Sequence, residues 1–140
     1  MKIRIINGPN LNMLGIREPE IYGRETYADL VAFIQKCAGA LGVEAECLQS
    51  NHEGELVAWI QACFGTVDAI VINPAAYTHT SVAILDALKA VGLPAVEVHL
   101  SDVSAREEFR RISYSAMACQ KVIAGHGFEG YKMAMEFLSS

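Results

Sequence analysis

Five short strand-like runs, most of them largely apolar, alternate along this chain with longer stretches of helical spacing, and no other feature constrains the fold as much. The runs are Ile3–Ile6, Val43–Leu48, Ala69–Ile72, Ala95–Val98 and Val122–Ala124. A run that is apolar at successive positions, rather than at alternate ones, reads as a strand buried on both faces. Between the runs, Thr26–Leu41 reads as a helix, with Leu30, Ile34, Cys37 and Leu41 at helical spacing and Gly42 as its stop. Ser50-Asn51-His52-Glu53 has the form of a capping box, and Leu56, Ile60 and Phe64 continue the apolar stripe of the helix it opens. His79–Val91 reads as a third helix, ended by Gly92 and Pro94. Ala105–Ser113 is expected as a short charged helix and Gly127–Leu138 as the closing one.

Strand–helix units of this kind imply a parallel sheet with helices on both faces, an α/β three-layer sandwich. The simplest five-stranded arrangement has the order 2-1-3-4-5, which is flavodoxin-like. The 140 residues, 52% of them apolar, suit one domain with a sizeable core, so residues 1–140 are expected to form a single unit. Charged residues make up 19%, somewhat few to coat a free monomer, which hints at oligomerisation. A net charge of −5 offers no electrostatic footprint for nucleic acid or an anionic membrane. No apolar run approaches the ~18 residues that span a bilayer, and no long apolar region follows Lys2 as a signal peptide requires. Cys37, Cys47, Cys63 and Cys119 are widely spaced, without a CxxC or Cys/His cluster. The expectation is reduced, buried thiols in a cytoplasmic protein and no zinc.

Polar residues with chemical potential gather just after the strand ends. The first run leads into Asn7-Gly8-Pro9-Asn10, dense in turn formers, and then to Arg17 and Tyr22. After the third come Asn73, Thr78 and His79; at the end of the fourth come Glu97, His99 and Ser101, followed by Arg106 and Arg110. Carboxyl ends of parallel strands share one edge, so these clusters should converge on one crevice. Each also has a plainer explanation. Asn73-Pro74 suits an ordinary turn, Thr78 or Thr80 a helix N-cap, and His79 a surface position. Arg106 and Arg110, four apart beside Glu107 and Glu108, suit one solvated helix face. Glu97 and His99 fall on the same face of a strand in an otherwise apolar run, which favours a carboxylate that orients the imidazole. Gly125–Gly130 matches GxGxxG after a strand, but no second strand or acidic partner follows, so a tight turn and close helix packing explain it better.

The combined inventory, a phenol, imidazoles, arginines, amides and a hydroxyl without a metal cage or cofactor signature, suits proton abstraction next to a carbonyl in an anionic substrate. Tyr22 serves as base only as a phenolate; a free phenol ionises near pH 10, and arginines at close range favour the charged form. A charged His99 held by Glu97 could donate a proton to a leaving hydroxyl, and amides could stabilise an enolate.

The segments NGPNLNMLGIREPEIYG, INPAAYTHTSVAILDAL and VEVHLSDVSAREEFRRIS resemble the signature segments of the type II dehydroquinase (3-dehydroquinate dehydratase) family, and the likeness runs from Ile3 to Gly130-Tyr131. The resemblance implies a flavodoxin-like fold. It also implies a reversible anti elimination of water from 3-dehydroquinate to 3-dehydroshikimate through an enolate, without cofactor or metal, in a dodecamer of four trimers. By the same resemblance, Tyr22 is the base, Arg17 activates it and Arg106 helps depress its pKa. His99 is the general acid, Glu97 orients it, and Asn10 holds the water that stabilises the enolate. Asn73, His79, Leu100, Ser101 and Arg110 bind the substrate, and Asp86 reaches a neighbouring subunit's site. The chain departs from the pattern at Leu85, where a basic residue is expected, and at Ala75-Ala76, where glycine is common. The Leu14–Tyr22 loop is expected to act as a lid that closes over substrate.

Overall fold

The structure, a computed structural model, describes residues 1–16, 20 and 23–140, with Ser104 in its backbone only. Its centre is a parallel sheet of five strands in the order β2-β1-β3-β4-β5. These are β1 (Lys2–Asn7), β2 (Glu44–Gln49), β3 (Ala69–Asn73), β4 (Ala95–His99) and β5 (Lys121–Ala124). All five runs are strands, and the sheet order is the one expected. In register, Asn7 stands opposite Asn73 across β1 and β3.

Among the described residues, four helices cover the two faces: α1 (Tyr27–Leu41), α2 (Glu53–Gln61), α3 (Val82–Val91) and α4 (Glu129–Ser139). Strand residues alternate sides, and the core divides accordingly. Ile3, Ile5, Val71, Val96 and Val98 pack with Leu30 and Ile34 of α1 and with Tyr131 and Met135 of α4. Ile6, Ile70, Ile72 and Ala95 pack with Leu56 and Ile60 of α2 and with Ile84 and Leu88 of α3. Each fully buried aliphatic side chain contributes about 1.5–3 kcal/mol. The same parity aims Asn7 and Asn73 at α4, and Glu97 and His99 at the opposite face.

Helix ends show where local chemistry decides. Helix α1 opens on a true capping box: Thr26 Oγ1 accepts the Asp29 N–H at 3.2 Å, and the Asp29 carboxylate accepts the Thr26 N–H at 2.9 Å. The box expected at Ser50–Glu53 does not form. Ser50 Oγ accepts the His52 N–H at 2.9 Å and donates to Glu55, so α2 begins with His52 as an N-cap that makes no side-chain bond. Phe64 lies beyond the end of α2 and is 72% exposed, outside the stripe of Leu56 and Ile60.

The helix expected from His79 starts later. Ala75–His79 is a 3-10 turn, Thr80 is not helical, and neither Thr78 nor Thr80 is the cap; Ser81 Oγ accepts the Ile84 N–H at 2.9 Å and starts α3. Ala105–Ser113 is not one helix. Two 3-10 turns, Val103–Ala105 and Glu108–Arg111, are separated by the extended backbone of Glu107, so Arg106 and Arg110 do not share a helix face. Gly125 and Gly127 adopt positive φ in the turn after β5, and a Cβ on Gly130 would lie 3.2 Å from Val98 Cγ1. The glycines thus serve turn and close packing, as expected. Of the four thiols only Cys63 is fully buried; Cys37, Cys47 and Cys119 are partly so, and all are free. Among the described residues no helix is long and apolar enough to cross a membrane.

Candidate active site

The carboxyl ends of β1, β3 and β4 open into a crevice of about 530 Å³, the open solvent at its mouth included. Pro9, Asn10 and Leu11 line it from β1; Asn73, Ala75, Ala76 and His79 from β3; His99, Leu100, Ser101, Val103, Arg106 and Arg110 from β4 onward. Of the residues expected to converge, Asn10, Asn73, His79, His99, Ser101, Arg106 and Arg110 line this one crevice.

The crevice wall carries a buried acid–imidazole pair. His99 Nε2 lies 2.7 Å from Glu97 Oε2, with His99 5% and Glu97 0% exposed. Burial by itself would raise the Glu97 carboxyl. The hydrogen bond and charge of His99, together with the hydroxyls of Ser115 and Ser113, outweigh it and hold the carboxyl below its ordinary value. Ser113 Oγ donates to Glu97 Oε2 at 2.8 Å, and Ser115 Oγ donates to Oε1. An ionised Glu97 takes the Nε2–H of His99 and leaves Nδ1 as the nitrogen able to exchange a proton.

The other imidazole is oriented by the same segment. His79 Nδ1 donates to the Ile112 carbonyl at 2.7 Å, which leaves its Nε2 for a ligand. The backbone of Tyr114 donates to the Thr78 carbonyl at 3.0 Å and ties the two walls together. Asn73 is 3% exposed, and its Oδ1 accepts the Ala75 N–H at 3.2 Å. Asn10 sits in the left-handed region at φ 70, a conformation asparagine tolerates. Its backbone N–H donates to Asn51 Oδ1 at 3.0 Å, and that oxygen also accepts from Gln49 Nε2 at 3.2 Å.

Arg106 and Arg110 supply positive charge at the rim. Arg110 Nε pairs with Glu107 Oε2 at 2.8 Å, and its guanidinium lies 5.0 Å over the Phe109 ring. Asp86 is exposed on α3 and does not line this chain's crevice. Arg17 and Tyr22, with most of the expected lid, lie outside the described residues. No lysine lines the crevice among the described residues. No group of three His, Cys, Asp or Glu side chains among them is placed to hold a metal. Sequence reasoning missed Ser113, Ser115, Gln49 and Asn51. The spacing of the two serines, two residues apart, is the only local sign of the first pair.

The fold and crevice define a flavodoxin-like α/β enzyme working at the carboxyl edge of its sheet, with a buried carboxylate–imidazole pair in its wall. Comparison with known proteins narrows this. Residues 1–139 match the family model described as Dehydroquinase class II. The chain is 54% identical over 140 residues to a 3-dehydroquinate dehydratase of Clostridium acetobutylicum, covering 100% of this chain and 97% of that protein. It is 57% identical over 136 residues to a catabolic 3-dehydroquinase of Verticillium alfalfae, covering 97% and 91%. The crystal structure of a type II dehydroquinase from Butyrivibrio crossotus superposes with a TM-score of 0.98 at 51% identity, covering 100% of this chain and 98% of that one. The chain belongs to the class II dehydroquinase family.

Proposed function

We propose that this chain dehydrates 3-dehydroquinate to 3-dehydroshikimate, in the shikimate pathway or in quinate breakdown, by anti elimination through an enolate. The observation that carries the reading is the Glu97–His99 pair, 2.7 Å apart and buried at the wall of a crevice rimmed by Arg106 and Arg110.

Tyr22, as phenolate, removes a proton from the carbon next to the substrate ketone. Arg17 and Arg106 stabilise that phenolate. The electron pair moves into the ketone, and Asn10 holds a water against the resulting enolate oxygen. The enolate then collapses, expelling the β-hydroxyl, which leaves as water with a proton from His99. Glu97 stabilises the charged imidazole and fixes its ring. Asn73, His79, the Leu100-Ser101 segment and Arg110 hold the substrate's hydroxyls and carboxylate. Residues 1–140 act as one domain in the cytoplasm, needing no metal or cofactor. Four trimers make a dodecamer in which Asp86 reaches a neighbouring site. The Leu14–Tyr22 loop closes over bound substrate, and saturating inhibitor should slow its proteolysis.

The route uses no Schiff base. Borohydride added with 3-dehydroquinate should therefore leave full activity after removal of the reagents, and irreversible inactivation would contradict the mechanism.

A further inference from the structure

A line of buried polar side chains runs beneath the crevice, and the elimination chemistry leaves it unexplained. Asn7, Tyr131 and Asn73 are 0%, 0% and 3% exposed. Burying such groups is costly unless each is hydrogen-bonded, and here they bond to one another in sequence. Asn7 Nδ2 donates to Tyr27 Oη at 3.4 Å. Tyr131 Oη donates to Asn7 Oδ1 at 2.7 Å and accepts from Asn73 Nδ2 at 3.0 Å. Asn73 Oδ1 accepts the Ala75 N–H at 3.2 Å.

The direction of this line follows from counting protons. A phenol has one to give. Tyr131 gives it to Asn7 Oδ1, so towards Asn73 it can only accept. The Asn73 amide must then turn its nitrogen to Tyr131 and its oxygen to the Ala75 N–H, which leaves one Nδ2–H unspent beside the crevice. A flipped amide would set N–H against the Ala75 N–H and, while Asn7 Oδ1 holds the phenol proton, oxygen against the Tyr131 oxygen. Packing supports the placement: Gly130, without a Cβ, lets α4 approach Val98 closely and carries Tyr131 under the strand ends. Burial raises the Tyr131 phenol far above its ordinary value, so the proton stays in place.

We propose that Tyr131 is a positioning residue for substrate binding: it sets the polarity of the Asn73 amide, so that Asn73 meets an oxygen acceptor of the substrate as a hydrogen-bond donor and keeps the Pro74-Ala75 turn seated. This rests on the dehydratase reading above. Tyr131 touches no substrate and acts only through Asn73.

The test measures kcat and KM separately for 3-dehydroquinate with the wild-type chain, Tyr131→Phe and Asn7→Ala, well below each variant's unfolding temperature. Tyr131→Phe should raise KM about tenfold, the worth of one neutral hydrogen bond, with kcat little changed. Asn7→Ala keeps both Tyr131 and Asn73 but frees the phenol proton to turn towards Asn73 Oδ1. It should show the same split, and it decides the matter if Tyr131→Phe fails to fold. Wild-type KM in either folded variant, or a loss confined to kcat, would overturn the proposal. A wild-type chain that does not dehydrate 3-dehydroquinate would overturn the dehydratase reading and this proposal with it. Turnover by wild type with unchanged variants would overturn the role of Tyr131 alone.

Discussion

His99 Nε2 and Glu97 Oε2 stand 2.7 Å apart on one face of β4, two residues apart in sequence, and both side chains are buried. This pairing holds the ring still and dedicates one nitrogen to the carboxylate. Glu97→Gln keeps the shape but removes the negative charge beside the His99 ring. Steady-state kinetics should show kcat lower by roughly 10²-fold, within the usual range for a positioned general acid, with KM little altered. A kcat near wild type would detach Glu97 from the chemistry.

The serines behind Glu97 make a prediction about acid stability. Because the folded carboxyl ionises below its ordinary value, its favourable contribution is complete at neutral pH and is lost as pH falls through the folded value. Ser115→Ala removes a donor, so the folded value moves back up and the loss begins at higher pH. At pH 7 the variant should be less stable by about 1.5–3 kcal/mol, the worth of a hydrogen bond to a charged group. Thermal melts from pH 7 down past about 4.3, the ordinary glutamate value, check both points. Parallel curves for wild type and variant would contradict the role of this hydroxyl.

Ala75 occupies φ 54, a left-handed conformation that costs an L-residue roughly 1–2 kcal/mol. Glycine carries no such penalty, although its freer unfolded chain gives back about 0.4–1 kcal/mol. Ala75→Gly should therefore raise the melting temperature by a few degrees, and a lowered one would show that Ala75 is not strained.

Gly8 faces the same turn from the other side. Its N–H donates to the Asn73 carbonyl at 2.8 Å, and a Cβ there would lie 2.5 Å from the Pro74 carbonyl oxygen. Backbone on both sides leaves little room to yield. Gly8→Ala should destabilise by about 1–3 kcal/mol and raise KM by displacing the substrate loop. An unchanged melt would mean that the turn is looser than its contacts imply.

The central strands β3 and β4 were legible because burial on both faces calls for mostly apolar residues, and Ala69–Asn73 and Ala95–His99 are buried at every position. The Glu97–His99 pair was legible because strand parity alone puts the two side chains together. Helix starts were less so. A serine can cap, as Ser81 does, or turn its hydroxyl to a nearby carboxylate, as Ser50 does with Glu55, and spacing does not distinguish them. Extended Glu107 breaks a segment whose charge pattern suits a continuous helix. The supporting network was hidden for another reason. Tyr131 lies 58 residues from Asn73 and 124 from Asn7, and partners so far apart leave no periodic trace.

The most direct measurement is the ultraviolet absorbance of the enone product after 3-dehydroquinate is added to the wild-type chain and to Tyr22→Phe. Rapid rise with wild type and near-complete loss in the variant is the expected result. A flat trace with wild type would contradict the dehydratase itself, and a wild-type rate in the variant would leave the enzyme but remove Tyr22 as its base.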